Sequence, residues 1–325
     1  MGSKGADLWS DNKLQKLVSV YLSEGETAVL EQFNLSSETL NRYLREARKR
    51  GISTSDKGKL ISQIIQTYTD KELQALAHGG RIVPGYGKVP IISFEGARIR
   101  VGAMTDTHIG SVKMPEERIY QAFDEFRKEK VDFITHSGDV TEGMSNRPGH
   151  VYELNAIGYS NQKNLSEKIF NQWTDTDIYA IDGNHDRWYI KSNGAKIVEE
   201  IAKSIPNFYF IGHDEGDISL KGKATLKLWH GEDGNSYALS YRLQKILESL
   251  TGGEKPHAMI AGHVHKYVEI FERHVHCTSV GSMQSQTPWM RGKRIAAHAG
   301  FAIIDYWVND KGICKKTSTW YPFYS

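Results

Sequence analysis

Apolar residues occupy every second position from Ile99 to Ala103, a period of two that is typical of a β-strand with one buried face. The predicted strand ends at Met104 and leads into Asp106 and His108, with a glycine shortly after them. A carboxylate and an imidazole two residues apart at a strand end can point the same way and share one divalent ion. The pattern therefore predicts a polar site at this strand end.

Apolar runs with polar ends recur along the rest of the chain and alternate with helical patterns, which predicts an α/β domain. Strands are predicted at residues 99–104, 132–136, 178–181, 226–230, 258–261, 268–271, 275–280 and 301–308. Helices are predicted at residues 116–130, 151–173, 195–203 and 237–250.

Residues 1–80 are predicted to form a separate, small all-α domain. Apolar residues recur at helical spacing from Leu14 to Leu22 and from Glu26 to Phe33, and again in a third segment that follows a Ser-rich turn and ends at Gly51. The exposed side of this third helix is predicted to be basic. Its cations are Arg42, Arg45, Arg48, Lys49 and Arg50.

A short helix, a tight turn and a basic helix resemble a helix-turn-helix, in which the later helix reads the major groove of DNA. A helical bundle with a solvated basic face and a protein-docking module are the alternatives. Helices at 57–68 and 70–77 complete the predicted domain. A Gly- and Pro-rich linker at 81–97 then precedes the predicted α/β domain at 98–325.

Composition adds few constraints. The 325 residues carry a formal net charge of +2, so an anionic partner must be met by local basic patches. No apolar run approaches the roughly 20 residues that span a bilayer, and we expect no membrane association. Two cysteines, Cys277 and Cys314, are too few for a disulfide framework, which favours a reducing, cytoplasmic location. The sequence does not indicate an oligomeric state.

Polar residues at the predicted strand ends are the candidate metal-binding residues. Carboxylate and amide oxygens combined with imidazoles suit Mn²⁺ better than Ca²⁺, with Fe²⁺, Zn²⁺ or Mg²⁺ as alternatives. Gly138 and Gly183 precede two of the candidates, where a tight turn must bring a side chain back over the site. The residues are Asp106, His108, Asp139, Asn184, His185, His230, His263 and His265.

Seven of these side chains are enough for two ions, and Asp139 is a natural bridge because one carboxylate can serve two metals. Two ions about 3.5–4 Å apart can activate a bridging water and neutralise a phosphoryl group during in-line attack. Other histidines, such as His136 inside an apolar run, are predicted to be buried and hydrogen-bonded and not to bind metal.

The order of the segments resembles that of the calcineurin-like metallophosphoesterase superfamily across about residues 98–310. The segments are Asp106-Thr107-His108, Gly138-Asp139, Gly183-Asn184-His185-Asp186, Trp229-His230-Gly231 and Gly262-His263-Val264-His265. The resemblance implies a sandwich of two facing β-sheets flanked by helices, with two metals at the strand ends.

The resemblance also implies a role for each residue. Asp106, His108, Asp139 and His265 would hold one ion. Asp139, Asn184, His230 and His263 would hold the other. His185 would be the acid that steadies the developing charge and protonates the leaving oxygen while water attacks phosphorus.

Within the superfamily, the chain is similar to the exonuclease-bearing small subunit of archaeal D-family DNA polymerases and to the double-strand-break repair nucleases. The likeness rests on the stretch from Asp106 to Ser111, on acids close to His230, and on the segment from Gly281 to Thr287. The polymerase subunit carries an oligonucleotide-binding barrel where this chain has its helical block. A polymerase role therefore does not transfer.

Three function classes remain. The favoured one is a DNA nuclease, a 3′–5′ exonuclease that prefers single strands, with Trp289, Arg291 and Arg187 as further nucleic-acid contacts. The second is a phosphatase or phosphodiesterase for small nucleotides or phosphoproteins. The third is a non-catalytic DNA-binding or scaffold protein.

Overall fold

The computed structural model describes residues 9–52, 54, 89–232, 234, 236, 238–250, 253 and 255–324. The chain divides into two compact units, Met1–Ala77 and His78–Ser325. The helices predicted at 57–68 and 70–77, the boundary near residue 80 and the first part of the predicted linker lie outside the described residues. The predicted domain limits stay predictions.

The described part of the first unit consists of helices α1 (Asp11–Glu24), α2 (Glu26–Phe33) and α3 (Ser37–Lys49). The Ser36 hydroxyl accepts a hydrogen bond from the Thr39 main-chain N–H at 3.2 Å, which caps α3 at the Ser-rich turn. Apolar side chains spaced three or four residues apart meet between the helices. They are Leu14, Leu17, Val18, Val29, Leu40, Leu44 and Ala47.

The second unit contains two six-stranded mixed sheets. The strands are β1 (Ile91–Ile92), β2 (Arg98–Met104), β3 (Phe133–Ser137), β4 (Ile178–Asp182), β5 (Phe208–His213), β6 (Glu215–Leu220), β7 (Ala224–Trp229), β8 (Ala258–Ala261), β9 (Tyr267–Glu272), β10 (Val275–Val280), β11 (Gly300–Asn309) and β12 (Gly312–Pro322). One sheet has the order β1-β6-β7-β8-β10-β9 and the other β12-β11-β2-β3-β4-β5.

The two sheets bury a common core and are covered by helices α4 (Glu117–Glu129), α5 (Tyr159–Phe170), α6 (Arg187–Asn193), α7 (Ile197–Ser204), α8 (Tyr241–Ser249) and α9 (Pro288–Gly292). Inward-facing residues of both sheets, such as Val101, Ile181, Leu228 and Ile260, belong to one apolar cluster. The predicted fold class, an α/β two-sheet sandwich flanked by helices with all-α helices before it, is confirmed.

Parallel pairing sets the position of the polar strand ends. Strands β2, β3 and β4 run parallel to one another, as do β7 and β8 in the other sheet. Carboxyl ends of parallel strands emerge at the same edge of a sheet, so the loops after β2, β3 and β4 are neighbours in one sheet, as are the loops after β7 and β8 in the other.

Some predicted boundaries were wrong. The helix predicted at 151–173 is instead a short 3₁₀ turn at His150–Glu153 followed by α5, because Gly158 adopts a left-handed backbone with φ of 86°. The helix predicted from residue 237 begins at Tyr241. Helix α6 and strand β12 were not predicted. Strand β1 lies inside the predicted linker, where it pairs with β6.

Among the described residues, none of the helices combines the length and apolarity that a membrane crossing requires.

Candidate metal centre

The loops after β2, β3, β4, β7 and β8 bring all eight predicted polar residues into one cluster. Asp106 and His108 follow β2, Asp139 follows β3, and Asn184 and His185 follow β4. His230 follows β7, and His263 and His265 follow β8. Except for partly buried Asn184, His185 and His263, the side chains are buried.

One group of ligand-type atoms consists of Asp106, His108 and His265. The Nε2 atom of His265 lies 3.0 Å from Asp106 Oδ1 and 3.2 Å from the Nε2 atom of His108. The Nε2 atom of His108 lies 3.7 Å from Asp106 Oδ1. Two ring nitrogens and a carboxylate oxygen thus converge on one small volume.

A second group consists of Asp139, His230 and His263, with the Asn184 amide beside it. Asp139 Oδ2 lies 3.1 Å from His230 Nε2. The Asn184 side-chain oxygen lies 3.3 Å from His230 Nε2 and 2.9 Å from His263 Nδ1. Asp139 Oδ2 also lies 3.7 Å from His108 Nε2, so its carboxylate stands between the two groups.

The ring of His185 borders both the cluster and the surface. Its Nδ1–H donates to the Glu142 carbonyl oxygen at 2.8 Å, and its main-chain N–H donates to Asp139 Oδ1 at 2.8 Å. The indole of Trp188 packs against the imidazole with ring centroids 4.0 Å apart. These contacts fix the ring and leave its Nε2 atom on the side away from Glu142.

The neighbouring carbonyls determine which ring nitrogens face the cluster. The His230 Nδ1–H donates to the Ser137 carbonyl oxygen at 2.6 Å, which leaves Nε2 towards Asp139. Burial lowers the pKa of His230, but the Asp139 charge and hydrogen bond outweigh it and raise that pKa to about 9. Burial likewise opposes ionisation of Asp139, yet the surrounding histidines hold its pKa below the usual range.

Five candidate ligands have left-handed backbones, in which non-glycine residues are uncommon. The φ values are 50° for Asp106, 46° for His108, 51° for Asp139, 73° for His263 and 51° for His265. Each such residue costs about 1–3 kcal/mol and is characteristic of functional sites.

Gly138 has φ of 91° and makes the expected turn, whereas Gly183 is needed for a close approach. A Cβ atom at residue 183 would lie 2.2 Å from Asp139 Oδ1 and 2.4 Å from the Asp139 main-chain nitrogen. Only glycine allows the loops after β3 and β4 to come this close.

Asp186, for which the sequence predicted no role, links the loops after β3 and β4. Its buried carboxylate accepts main-chain N–H groups of Val140 at 3.0 Å, Thr141 at 2.8 Å and Gly183 at 2.9 Å. Sequence reasoning also missed Glu142 and Gln284, which are buried beside the cluster. Glu142 follows Asp139 by three residues, which is the only signal that the sequence offers for it.

His136 is buried, with its Nε2 atom 2.9 Å from the Thr107 hydroxyl, which confirms the predicted burial and hydrogen bond. Burial lowers the pKa of His136 to about 3, so the ring is neutral.

The predicted nucleic-acid residues lie in separate places. Arg42, Arg45, Arg48 and Lys49 are exposed on α3, whereas Arg50 is paired with Asp11 and Glu46 and does not share that face. Trp289 is 44% exposed on the short helix α9, and Arg291 is exposed on the same helix.

Arg187 is paired with acids of its own chain. Its guanidinium contacts Asp182 at 3.3 Å, Glu232 at 2.8 Å and also Asp214. The cation is therefore already engaged, and its predicted contact with phosphate stays a prediction.

The sequence profile of the calcineurin-like phosphoesterase family matches residues 99–267, which include every residue of the cluster.

A curated relative is the DNA polymerase II small subunit of Methanothermobacter thermautotrophicus, 26% identical over 257 residues. The match covers 65% of this chain and 53% of the relative, so the chain spans about half the length of the protein it matches.

Similar solved structures include two phosphoesterases and also the vacuolar protein sorting 29 protein of Cryptosporidium parvum. An archaeal phosphodiesterase is 17% identical with a TM-score of 0.42, covering 69% of this chain and 100% of that one. A phosphoesterase from E. coli is 16% identical with a TM-score of 0.38, covering 67% of this chain and 98% of that one.

Replacement of Gly183 tests the close approach to Asp139. We expect Gly183→Ala to lower the free energy of unfolding by about 1–3 kcal/mol, since the new methyl group meets the main-chain nitrogen and the buried carboxylate of Asp139. Gly292→Ala is the matched control, because a Cβ there meets nothing within 4 Å. Chemical denaturation of both variants measures the difference. Equal stabilities would contradict the steric role of Gly183.

Proposed function

The chain belongs to the calcineurin-like phosphoesterase family, and on this basis we propose that it is a two-metal phosphodiesterase that degrades DNA. The observation that carries the proposal is the convergence of eight polar side chains from five strand ends, with Asp139 between two ligand groups.

The proposed ligands divide as the two groups do. Asp106, His108, Asp139 and His265 hold one ion, and Asp139, Asn184, His230 and His263 hold the other. The donor set of carboxylate, amide and imidazole, without cysteine, fits Mn²⁺, Fe²⁺ or Zn²⁺, and Mg²⁺ less well because that ion prefers oxygen. When bound, such a pair of ions neutralises a phosphoryl group and activates water for attack on phosphorus.

His185 is the proposed acid for the leaving oxygen. Its Nδ1–H is committed to the Glu142 carbonyl oxygen, so proton transfer uses Nε2. To donate from Nε2 the ring must be in its cationic form, which the nearby Asp139 and Glu142 carboxylates favour. Burial acts in the opposite direction and lowers the pKa of His185, which makes the ring a ready donor once protonated.

DNA is the proposed substrate because aromatic and basic side chains accompany the phosphoesterase unit. The half-exposed Trp289 lies under the Arg147 guanidinium at 5.6 Å from its ring centroid, and Arg291 follows on the same short helix. An exposed aromatic ring with cations nearby suits the stacking of unpaired bases. The polymerase-subunit relative supports the same choice, as does the basic face of α3.

The substrate assay compares single-stranded and blunt duplex DNA with Mn²⁺. We expect faster loss of single strands, with 5′-labelled strands shortening progressively from the 3′ end, because unstacking a terminal base of a duplex costs a few kcal/mol. Comparable cleavage of circular single strands would indicate an endonuclease. Hydrolysis of small phosphate esters without any DNA cleavage would favour the small-substrate phosphoesterase, and no hydrolysis at all would favour the binding or scaffold role.

Two substitutions separate metal binding from proton transfer. Asp139→Asn should abolish hydrolysis and reduce bound metal, because it removes the charge between the two ligand groups. His185→Ala should keep both ions and lose about 10²–10⁴-fold in turnover, the usual contribution of general acid catalysis. Elemental analysis and rate measurements decide the case. Full metal content in Asp139→Asn or full activity in His185→Ala would contradict these roles.

The basic face of α3 is proposed to bind duplex phosphates. The triple variant Arg42→Gln, Arg45→Gln and Lys49→Gln should weaken binding and flatten the dependence of log affinity on log salt by roughly 0.9 per lost phosphate contact. The single variants Arg45→Gln and Lys16→Gln are a matched pair, because each removes one exposed cation, the first from α3 and the second from α1. Lys16→Gln is the control. An unchanged salt slope in the triple variant would make the helical unit a docking or structural element.

A further inference from the structure

The loop after β3 carries a buried carboxylate, that of Glu142, which contacts three other segments of the chain. Its Oε2 atom lies 3.1 Å from His108 Nδ1 and accepts a hydrogen bond from the Gln284 side-chain amide at 2.7 Å. Its Oε1 atom lies 3.1 Å from His150 Nε2. Burying a charged carboxylate is unfavourable unless hydrogen bonds and charges replace the lost water, and these contacts from other segments supply that replacement.

Two of these partners are fixed as donors by their own surroundings. The Ser145 main-chain N–H donates to His150 Nδ1 at 3.2 Å, so a neutral His150 carries its proton on Nε2, facing Glu142. The Gln284 amide nitrogen also donates to the Ser111 hydroxyl at 2.8 Å, which fixes its orientation. Both neighbours therefore present N–H groups, for which an ionised carboxylate is the matching acceptor.

The third partner, His108, is a proposed metal ligand. A carboxylate beside Nδ1 favours a proton on that nitrogen and leaves the Nε2 lone pair towards Asp106 and His265. Carboxylates behind metal-binding histidines orient the ring and raise its basicity, and their loss commonly costs 10–100-fold in metal affinity.

We propose that Glu142 is a positioning residue that orients His108 towards one of the two ions, and that Gln284 holds Glu142 in place. The inference rests on the two-metal function proposed above. It also assigns a role to Gln284 in the Gly281–Thr287 segment, which otherwise takes no part in the proposed chemistry. The second ion does not depend on this contact, because His230 takes its orientation from the Ser137 carbonyl.

The main chain and the side chain of Glu142 have separable roles. The carbonyl oxygen of Glu142 holds His185, whereas the carboxylate faces His108. A substitution that keeps the side-chain volume removes the second contact and retains the first. Because Glu142→Gln also removes a carboxylate charge 3.7 Å from His185 Nδ1, the test measures metal affinity and not turnover.

The experiment titrates metal-free protein with Mn²⁺ by calorimetry, comparing the wild type with Glu142→Gln. The glutamine keeps the side-chain volume, but it replaces one acceptor oxygen with an N–H group that faces other N–H donors. We expect one of two binding sites to weaken by about 10–100-fold and the other to keep its affinity. Gln284→Leu, which removes one donor but keeps the carboxylate, should produce a smaller change at the same site and carries the test if Glu142→Gln does not fold.

Gln162→Leu is the matched control. Gln162 is a fully buried glutamine that bonds the main chain of Gly143, next to Glu142, without touching a proposed ligand. The Gln162→Leu variant should be less stable than the wild type and should keep the Mn²⁺ affinity of both sites. The inference would be overturned if Glu142→Gln left the Mn²⁺ affinity of both sites unchanged. It would also be overturned if Glu142→Gln and Gln162→Leu weakened both sites equally. A wild type that binds no Mn²⁺ would instead overturn the two-metal function itself.

Discussion

The rest of the site depends on the burial of one carboxylate, that of Asp139. Removing an ionised carboxylate from water costs several kcal/mol unless charges or hydrogen bonds replace the lost solvent. The replacements come from two other strand ends, the His185 main-chain N–H at 2.8 Å and the His230 ring at 3.1 Å. Both sheets must therefore place these ends within bonding distance. The parallel runs β2-β3-β4 and β7-β8, packed face to face, satisfy that requirement.

Reaching this geometry strains the backbone. Asp106, His108, Asp139, His263 and His265 all have positive φ, so the cluster stores several kcal/mol of local strain. Fully buried strands on either side, such as β3, β4 and β8, supply the packing that offsets it. Asp186 adds to this by clamping the loops after β3 and β4 through three main-chain N–H groups. A rigid sandwich is thus what makes strained loops at its edge possible.

The local patterns predicted an α/β domain with polar strand ends, and the family resemblance carried by those strand ends implied the two-sheet sandwich with two metals where they meet. The break at Gly158 was missed because glycine is tolerated within a helical pattern, and β12 was missed because its residues are largely polar. Glu142 and Gln284 could not be found in this way, since their contact joins positions 142 residues apart. Arg187 had a suitable position for a phosphate contact, but its pairing with three acids depends on the tertiary fold.

Protons and metal ions compete for the same nitrogens in this cluster. Burial disfavours a charged imidazole, yet the Glu142 and Asp106 carboxylates raise the pKa of His108, and Asp139 raises that of His230 to about 9. The raised pKa values favour protons on these two rings when no metal is bound, and that positive charge balances the buried acids. A histidine must be deprotonated to bind a metal, so metal binding exchanges those protons for cations. The carboxylates that attract protons here are thus the same groups that make the cluster a site for divalent ions.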